Sequence, residues 1–458
     1  MRHRGRLIEV LNRAEQGPII DEKEFEAKLI RTTIKRLVTK YQIKFDKDTI
    51  VPNDNELADR VYEAALEFAV EVGMFCQNTS RRITWTREEY EEGLRNCVSE
   101  ATLGEGNDAV IVRARKPEDV IHPIFVGGAF GIPVPENMYD PIMLSYVQEP
   151  VIDVFENPTI QKVYGNDIKA GSPWEVLAGW REVELAKSLI NRAGRPGMAI
   201  GGVEISPTAL AQISAASWGG LRPTDWHHVS APSEFKTNYD LLSKVAHITR
   251  IGAAMEAYLN IIYGGFLGGA EGVVIGLAAG LIIINQNYMG TTLSVSSAHP
   301  FLHSDATAES LWAQSLAFQA ISRNTKLLTA SLCKAASGPG TKTLLYECAA
   351  FIISGVVSGL SVPQACMSAT GTHPRHCSGL ESKLSAEIAK SACGMSREQA
   401  NEIVKKLLAK YDTKLADRPI GKPFEEVYDV NTIKPTQEWL GLYQEVKDEL
   451  IDIGVPLT

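Results

Sequence analysis

From about residue 108 to about residue 410 the chain repeats one pattern, which constrains its fold more than any other feature. Short apolar runs, among them Ala109-Val110-Ile111-Val112, Ile124-Phe125-Val126 and Met198-Ala199-Ile200, each end in glycine or polar turn residues. Between them lie stretches with apolar residues at helical spacing, such as Pro173 to Ala193 and Asp240 to Gly252. The alternation continues through Ser331-Leu332-Cys333 and Cys366-Met367-Ser368. Strands alternating with helices build a parallel sheet with helices outside. By length alone, 458 residues divide into about three domains. Roughly 300 residues of continuous alternation instead fit one (β/α)8 barrel of the TIM type, an α/β fold, better than two doubly wound domains. No GxGxxG follows a strand with an acidic residue about 20 positions on, and GxxxxGK[ST] is absent, so the usual nucleotide signatures are missing.

The flanks read as helical. Phe25, Leu29, Ile30, Ile34 and Leu37 recur at helical spacing between Asp21 and Tyr41. Asp54 is placed to cap a second helix, whose apolar stripe is Leu57, Val61, Ala64, Ala65, Phe68 and Val72. Near the end, Ser396-Arg397-Glu398-Gln399 forms a capping box before Ile403, Val404, Leu407 and Leu408. Pro435 precedes a last helix through Trp439, Leu442, Tyr443, Val446 and Leu450. The expected division is a helical extension over 1–115, a barrel catalytic domain over 116–415, and a C-terminal helical tail over 416–458. That tail would pack on the barrel or on a neighbouring subunit.

One segment opposes a water-soluble reading. Ile261 to Ile284 spans 24 residues with a single charge, Glu271, which is long enough to cross a bilayer. Seven of the 24 are glycine, the carboxylate is internal, and no flanking Lys/Arg asymmetry or aromatic belt accompanies it. A buried strand from Leu259 to Tyr263, a glycine-rich loop, and a core helix from about Gly272 to Gln286 account for it better. The net charge of −9 disfavours nucleic acid and anionic membranes as partners. Seven cysteines without a CxxC pair point to a reduced, cytoplasmic protein with no zinc ribbon or thioredoxin-like site. The basic start, Arg2-His3-Arg4-Gly5-Arg6, is followed by Glu9, Asn12, Arg13 and Glu15, so no signal-peptide apolar region forms.

In a parallel barrel the reacting groups sit at the C-terminal ends of strands. Met198 to Glu204 gives a short strand, the glycines Gly201 and Gly202, then a carboxylate. Glycines at a strand mouth leave room for a ligand, and Glu204 fits a general acid or a counter-ion to a cationic substrate; the same pattern fits a turn followed by a solvated glutamate. In Thr224-Asp225-Trp226-His227-His228, successive side chains point to opposite sides, so at most one histidine faces a pocket. Gly264 to Glu271 reads as a loop close to ligand. Lys334, before Ser337-Gly338-Pro339-Gly340-Thr341, fits a Schiff-base or anion-binding role, or simply a solvated rim charge. His373-Pro374-Arg375-His376-Cys377 and the pair His299 and His303 match zinc spacing poorly, and no metal is assigned.

In order along the chain, these landmarks resemble the corrinoid-dependent monomethylamine methyltransferase family of methanogens. The resemblance rests on Gly106-Asn107-Asp108-Ala109-Val110, Gly127-Gly128 with Pro133, Ser145-Tyr146, and Ser172-Pro173-Trp174-Glu175-Val176-Leu177-Ala178. It continues with Ala193-Gly194-Arg195-Pro196-Gly197-Met198, the paired-glycine loop ending in Glu271, Gly338-Pro339, Gly421-Lys422-Pro423-Phe424 and Tyr428-Asp429-Val430. It implies a (β/α)8 barrel in a homo-oligomer, a hexamer by the family pattern. It also implies transfer of a methyl group from an amine to the Co(I) of a separate corrinoid protein docked at the barrel mouth. The cobalamin-type cofactor would be carried by that partner, with none covalently bound to this chain.

Family members place pyrrolysine at the end of the Gly-Arg-Pro-Gly-Met strand, and the resemblance puts Gly201 there, with the following family glutamate kept as Glu204. Two further family glutamates fall on His228 and Tyr258, and a glutamine and a tyrosine fall on Leu332 and Lys334. Without the electrophile, a neutral amine is not activated, whereas a quaternary ammonium already is. The expectation is therefore a methyltransferase for an N-methylated amine, with a quaternary amine the favoured class. Glu204 and His228 would act as catalytic residues, and Gly201, Gly202, Trp226, Tyr258, Tyr263 and Lys334 would bind substrate. Aromatic faces at Tyr258, Trp226 and Tyr263 would hold the cation, and Lys334 would pair with a substrate carboxylate. The alternatives are a metal-assisted corrinoid methyltransferase on a methanol- or thiol-like donor, using His228 or His299 and His303, and a non-catalytic barrel subunit.

Overall fold

The computed structural model describes residues 2–203 and 208–457. Its centre is a ring of eight parallel strands, each followed by a helix. The strands are β1 (Val126–Gly128), β2 (Val154–Glu156), β3 (Ala199–Gly201), β4 (His227–Ala231), β5 (Met255–Ile262), β6 (Thr292–Ala298), β7 (Thr329–Lys334) and β8 (Val362–Met367). The helices that follow them are α1 (Glu136–Val147), α2 (Pro173–Arg192), α3 (Ala209–Ala215), α4 (Tyr239–Ile251), α5 (Ala270–Tyr288), α6 (Ala308–Asn324), α7 (Lys342–Val357) and α8 (Gly379–Ser391). Strand order runs β4-β5-β6-β7-β8-β1-β2-β3. A parallel bridge between Gly201 and Trp226 joins β3 back to β4, with Trp226 N–H donating to the Ile200 carbonyl at 2.9 Å. This is the closed (β/α)8 barrel that the alternation predicts.

The apolar run at Ala109–Val112 does not join the ring. Val110–Arg113 pairs antiparallel with Glu100–Leu103 in a separate hairpin. The first barrel strand is the next run, which extends through Gly127 and Gly128. A short apolar run carries no mark of its partner, so periodicity alone cannot separate the two outcomes.

The membrane-length segment resolves into the end of β5, the glycine loop and helix α5. Its strand starts four residues earlier than expected, at Met255, and its helix extends over Ala270–Tyr288. Within α5, 94% of the apolar window is buried. On one side the helix lies against β5 and β6, and on the other against the N-terminal helices, mainly Asn55–Val72. The glycines permit that sandwich. A Cβ at Gly276 would stand 2.3 Å from Leu267 Cδ1, and one at Gly280 would stand 2.9 Å from Leu259 Cδ2. Glu271 sits in the first turn of α5, where a carboxylate suits the positive end of the helix dipole, and accepts the Phe45 N–H at 3.2 Å.

Asp54 caps Asn55–Val72 as expected, accepting the Leu57 N–H at 2.9 Å. The extension is stitched to the barrel by a small sheet in which Met74–Cys76 pairs in parallel with Lys236–Thr237, just after β4. At the other end, Arg397–Tyr411, with its Ser396/Gln399 capping box, packs on α7. The last helix, Gln437–Asp452, packs on α7 and α8.

Candidate active site

Side chains from alternate positions of the barrel strands meet inside the ring. On β5 the inward positions are Glu256, Tyr258 and Asn260, because strand side chains alternate with period two. Deepest are Glu156 at the end of β2, His228 on β4, Glu256 on β5 and Gln364 on β8. Their fractional exposures are 0%, 9%, 4% and 1%. His228 Nε2 stands 3.2 Å from Glu156 Oε2 and 3.0 Å from Glu256 Oε2. Both neighbours are carboxyl oxygens, and a proton on Nε2 would tie the three side chains together. Gln364 Nε2 donates to the other oxygen of Glu256 at 2.6 Å. Trp226 lies next to the imidazole, edge to face, with ring centroids 4.8 Å apart at 82°. Its Nε1–H donates to Thr292 Oγ1 at 2.7 Å, so the indole is fixed and in turn limits how the imidazole can rotate.

Gly201 closes against this group. A Cβ built there would stand 2.0 Å from Glu156 Oε2 and 3.0 Å from its Cδ. The carboxylate therefore fills the space into which any side chain at 201 would project. The Gly201 carbonyl accepts from Asn157 Nδ2 at 3.0 Å, and Asn157 Oδ1 accepts from Tyr139 OH at 2.6 Å. Gly202 has φ +80°, a backbone conformation that favours glycine.

Nearer the mouth is a second group built around a cation. Lys334 Nζ donates to Tyr258 OH at 2.9 Å, Asn260 Oδ1 at 2.6 Å and Ser296 Oγ at 2.8 Å. Tyr258 and Ser296 hydroxyls are 2.6 Å apart. Burial pulls the Lys334 pKa down, but Tyr258 and Asp305 outweigh it and raise the value above the ordinary one, so the ammonium stays charged. Asp305 Oδ2 accepts the Lys334 backbone N–H at 3.3 Å. Burial pushes the Asp305 carboxyl up to about 7, against the opposing pull of Lys334. The solvated-rim reading of Lys334 does not hold.

Of the residues singled out in the sequence, the structure thus gathers Gly201, His228 and Trp226 around Glu156, and Tyr258 with Lys334 one layer higher. Leu332, also on β7, is buried. Tyr263 lies apart, beyond the end of β5, stacked on His299 with centroids 5.0 Å apart at 15°. Glu204 lies outside the described residues. His227 points away from the ring, its Nε2 2.9 Å from the Arg222 carbonyl. His299 Nδ1 accepts the Leu302 N–H at 3.0 Å, and His373 and His376 meet edge to face with centroids 5.5 Å apart and Cys377 buried. Among the described residues no group of three or more His, Cys, Asp or Glu is arranged to hold a metal ion.

Sequence reasoning missed Glu156, Glu256 and Gln364. One signal was available. Glu156 ends the apolar run Val154-Phe155, and Glu256 interrupts Ala253 to Ile262 with polar residues at 256, 258 and 260. Strands of a parallel sheet covered on both faces are otherwise near-continuously apolar, so polar residues with that spacing mark a polar interior.

A sequence profile of the family described as "Monomethylamine methyltransferase MtmB" matches residues 6–455. Monomethylamine methyltransferase MtmB2 of Methanosarcina acetivorans is 32% identical over 450 residues, covering 97% of each chain. MtmB1 of Methanosarcina barkeri is 31% identical over 445 residues, again with 97% of each chain covered. The crystal structure of the Methanosarcina barkeri monomethylamine methyltransferase (MtmB) superposes with a TM-score of 0.95 at 31% identity, covering 98% of both chains. A crystal structure of the hydroxylamine MtmB complex superposes equally well, with a TM-score of 0.95.

Proposed function

The chain belongs to the monomethylamine methyltransferase family of corrinoid-dependent enzymes, and on that premise we propose that it demethylates a quaternary amine, with Gly201 standing where relatives carry pyrrolysine. The observation that carries this reading is the Glu156 carboxylate, seated 2.0 Å from where a Cβ of residue 201 would be. Where an electrophile would reach toward a neutral amine, this chain offers an anionic group, with Glu256 3.0 Å beyond the shared imidazole. Two buried carboxylates around one histidine suit a cation that brings its own charge.

The chemistry agrees. A methyl group leaves nitrogen readily only when the nitrogen departs neutral. A quaternary ammonium departs as a tertiary amine without needing a proton, so the protein has only to bind, orient and dehydrate it. Glu156 and Glu256 would set the cation against the inner end of the barrel. His228 would keep the two carboxylates in register, and Tyr258 would offer an aromatic face. By the family pattern Glu204 would serve as a further counter-ion, and Gly202 would let the backbone turn close to the substrate. Trp226 acts through His228, and Tyr263 would line the entrance.

The Co(I) of a corrinoid carried by a partner protein would supply the nucleophile that accepts the methyl group. The mouth suits such a partner: Phe301, 81% exposed, stands edge-on to His299, which itself stacks on Tyr263, giving an aromatic surface at the end of the barrel. The test is methyl transfer by the purified protein with its corrinoid protein held as Co(I), across a panel of N-methylated compounds. Demethylation of a quaternary ammonium without turnover of monomethylamine is expected. Turnover of monomethylamine, or silence across the panel, overturns the reading.

A further inference from the structure

The deep group and the upper group have opposite charge, and they share a strand. Glu256 and Asn260 are both inward on β5, separated by four residues, or roughly 13 Å of strand. At the lower end stand Glu156 and Glu256; at the upper end stands the Lys334 ammonium. Each of its three donors meets a neutral oxygen, from Tyr258, Asn260 and Ser296. Among the described residues no carboxylate lies within ion-pair distance of Nζ. Asp305, which contacts only the Lys334 backbone, is pushed up to about 7 by burial. Glu347 behind it is also raised, again chiefly by burial. A buried ammonium whose hydrogen bonds all end on neutral oxygens is costly, and it repels any simple cation passing the mouth.

Resting on the quaternary-amine reading above, we infer that Lys334 anchors an anionic end of the substrate, so that the substrate class is a zwitterion: a quaternary ammonium that also carries a carboxylate. The carboxylate would take the place of the Ser296 or Asn260 oxygen on Nζ. This exchanges a neutral acceptor for a charged one, and charge-assisted hydrogen bonds are about twice as strong. The ammonium end then lies toward Glu156 and Glu256, and each end of the ligand meets the charge opposite to its own. The same field disfavours a plain tetraalkylammonium, which finds its partner only below a like charge.

Calorimetric binding of trimethylglycine, choline and tetramethylammonium to the isolated protein tests this without methyl transfer. All three carry methylated ammonium groups, and only the first carries a carboxylate. The wild-type protein is expected to bind trimethylglycine at least about tenfold more tightly than choline, the scale of one charged hydrogen bond. In Lys334→Gln that ratio collapses toward one, and Lys334→Arg restores most of it. Equal wild-type affinity for trimethylglycine and choline overturns the anchor while leaving the quaternary-amine reading intact. So does a Lys334→Gln variant that weakens both ligands equally, since that is the mark of a structural role. Failure of all three compounds to bind overturns both readings.

Discussion

The two polar layers inside the barrel are built by opposite rules. In the deep layer, polar side chains close on one another: Glu156 and Glu256 meet at His228, and Gln364 pins the far side of Glu256. In the upper layer one ammonium is held by three neutral oxygens from two neighbouring strands, β5 and β6. A layer whose side chains brace one another across three strands holds its geometry. A layer that leaves a charge paired only with dipoles keeps an energetic reason to take a ligand. The deep layer is thus the fixed part of the site and the upper layer the selective part.

The largest break in that contrast is to remove a deep charge. Glu156→Gln and Glu256→Gln are expected to lower kcat/KM for the quaternary substrate by on the order of 100-fold or more, the scale for removing a charged partner inside a water-excluded site. A loss below about threefold in steady-state kinetics, well short of one charged hydrogen bond, would deny the deep layer its role. Gly201→Ala comes next. Its new methyl must displace the Glu156 carboxylate, so kcat/KM should fall by roughly tenfold or more while thermal unfolding shows a cost of about 1–3 kcal/mol. An unchanged kcat/KM would mean that the carboxylate can move without consequence.

Titration separates the layers further. Asp305 in the upper region is pushed up to about 7 by burial. Away from both layers, burial likewise raises Glu234 and Glu381 to about 7. A carboxyl whose folded pKa is raised stabilises the fold fully below its unfolded pKa near 4 and loses that contribution as pH rises through about 7. The melting temperature should therefore fall between pH 5 and pH 8.5, and Asp305→Asn should flatten part of the decline. Glu67 and Glu449 are lowered to about 2; burial opposes that shift, and their lysine, arginine and tyrosine partners outweigh it. They act in the opposite sense, and their contribution fades only below about pH 4.5. A flat melting curve from pH 5 to 8.5 would contradict the assignment.

The smallest expected effect is at Trp226→Phe. It deletes the Nε1–H bond to Thr292 but keeps an aromatic ring beside His228, so the cost should be about 1 kcal/mol with a modest fall in kcat. If KM rises instead and kcat is kept, Trp226 acts on ligand binding and not through the imidazole.

How much of this was legible in the chain depends on distance along it. The barrel was readable because every strand carries its own signal, an apolar run stopped by glycine or a turn, and that signal is local. The run at Val110 failed because its partner, Glu100–Leu103, is set by tertiary context. His228 and Lys334 stand out in the chain as isolated chemistry, but their partners come from other strands: Glu156 and Glu256 for the one, Tyr258, Asn260 and Ser296 for the other. No spacing rule links residues 156, 228, 256 and 364, since barrel closure alone brings them together. Gly201 was legible as a departure from a family pattern; that a carboxylate fills its space was not.

Helix α5 carries one last consequence. Beside α6, which follows it in the chain, its apolar surface is covered by Asn55–Val72 and other N-terminal helices, which leave the ribosome long before α5 is made. Until then those helices hold an open apolar stripe with nothing to cover it, the kind of surface that draws chaperones or aggregates. Cutting the gene between the extension and the barrel would leave each product with half of one buried interface. The extension and the barrel are therefore one folding unit, whose shared interface closes only once residues 270–324 have been made.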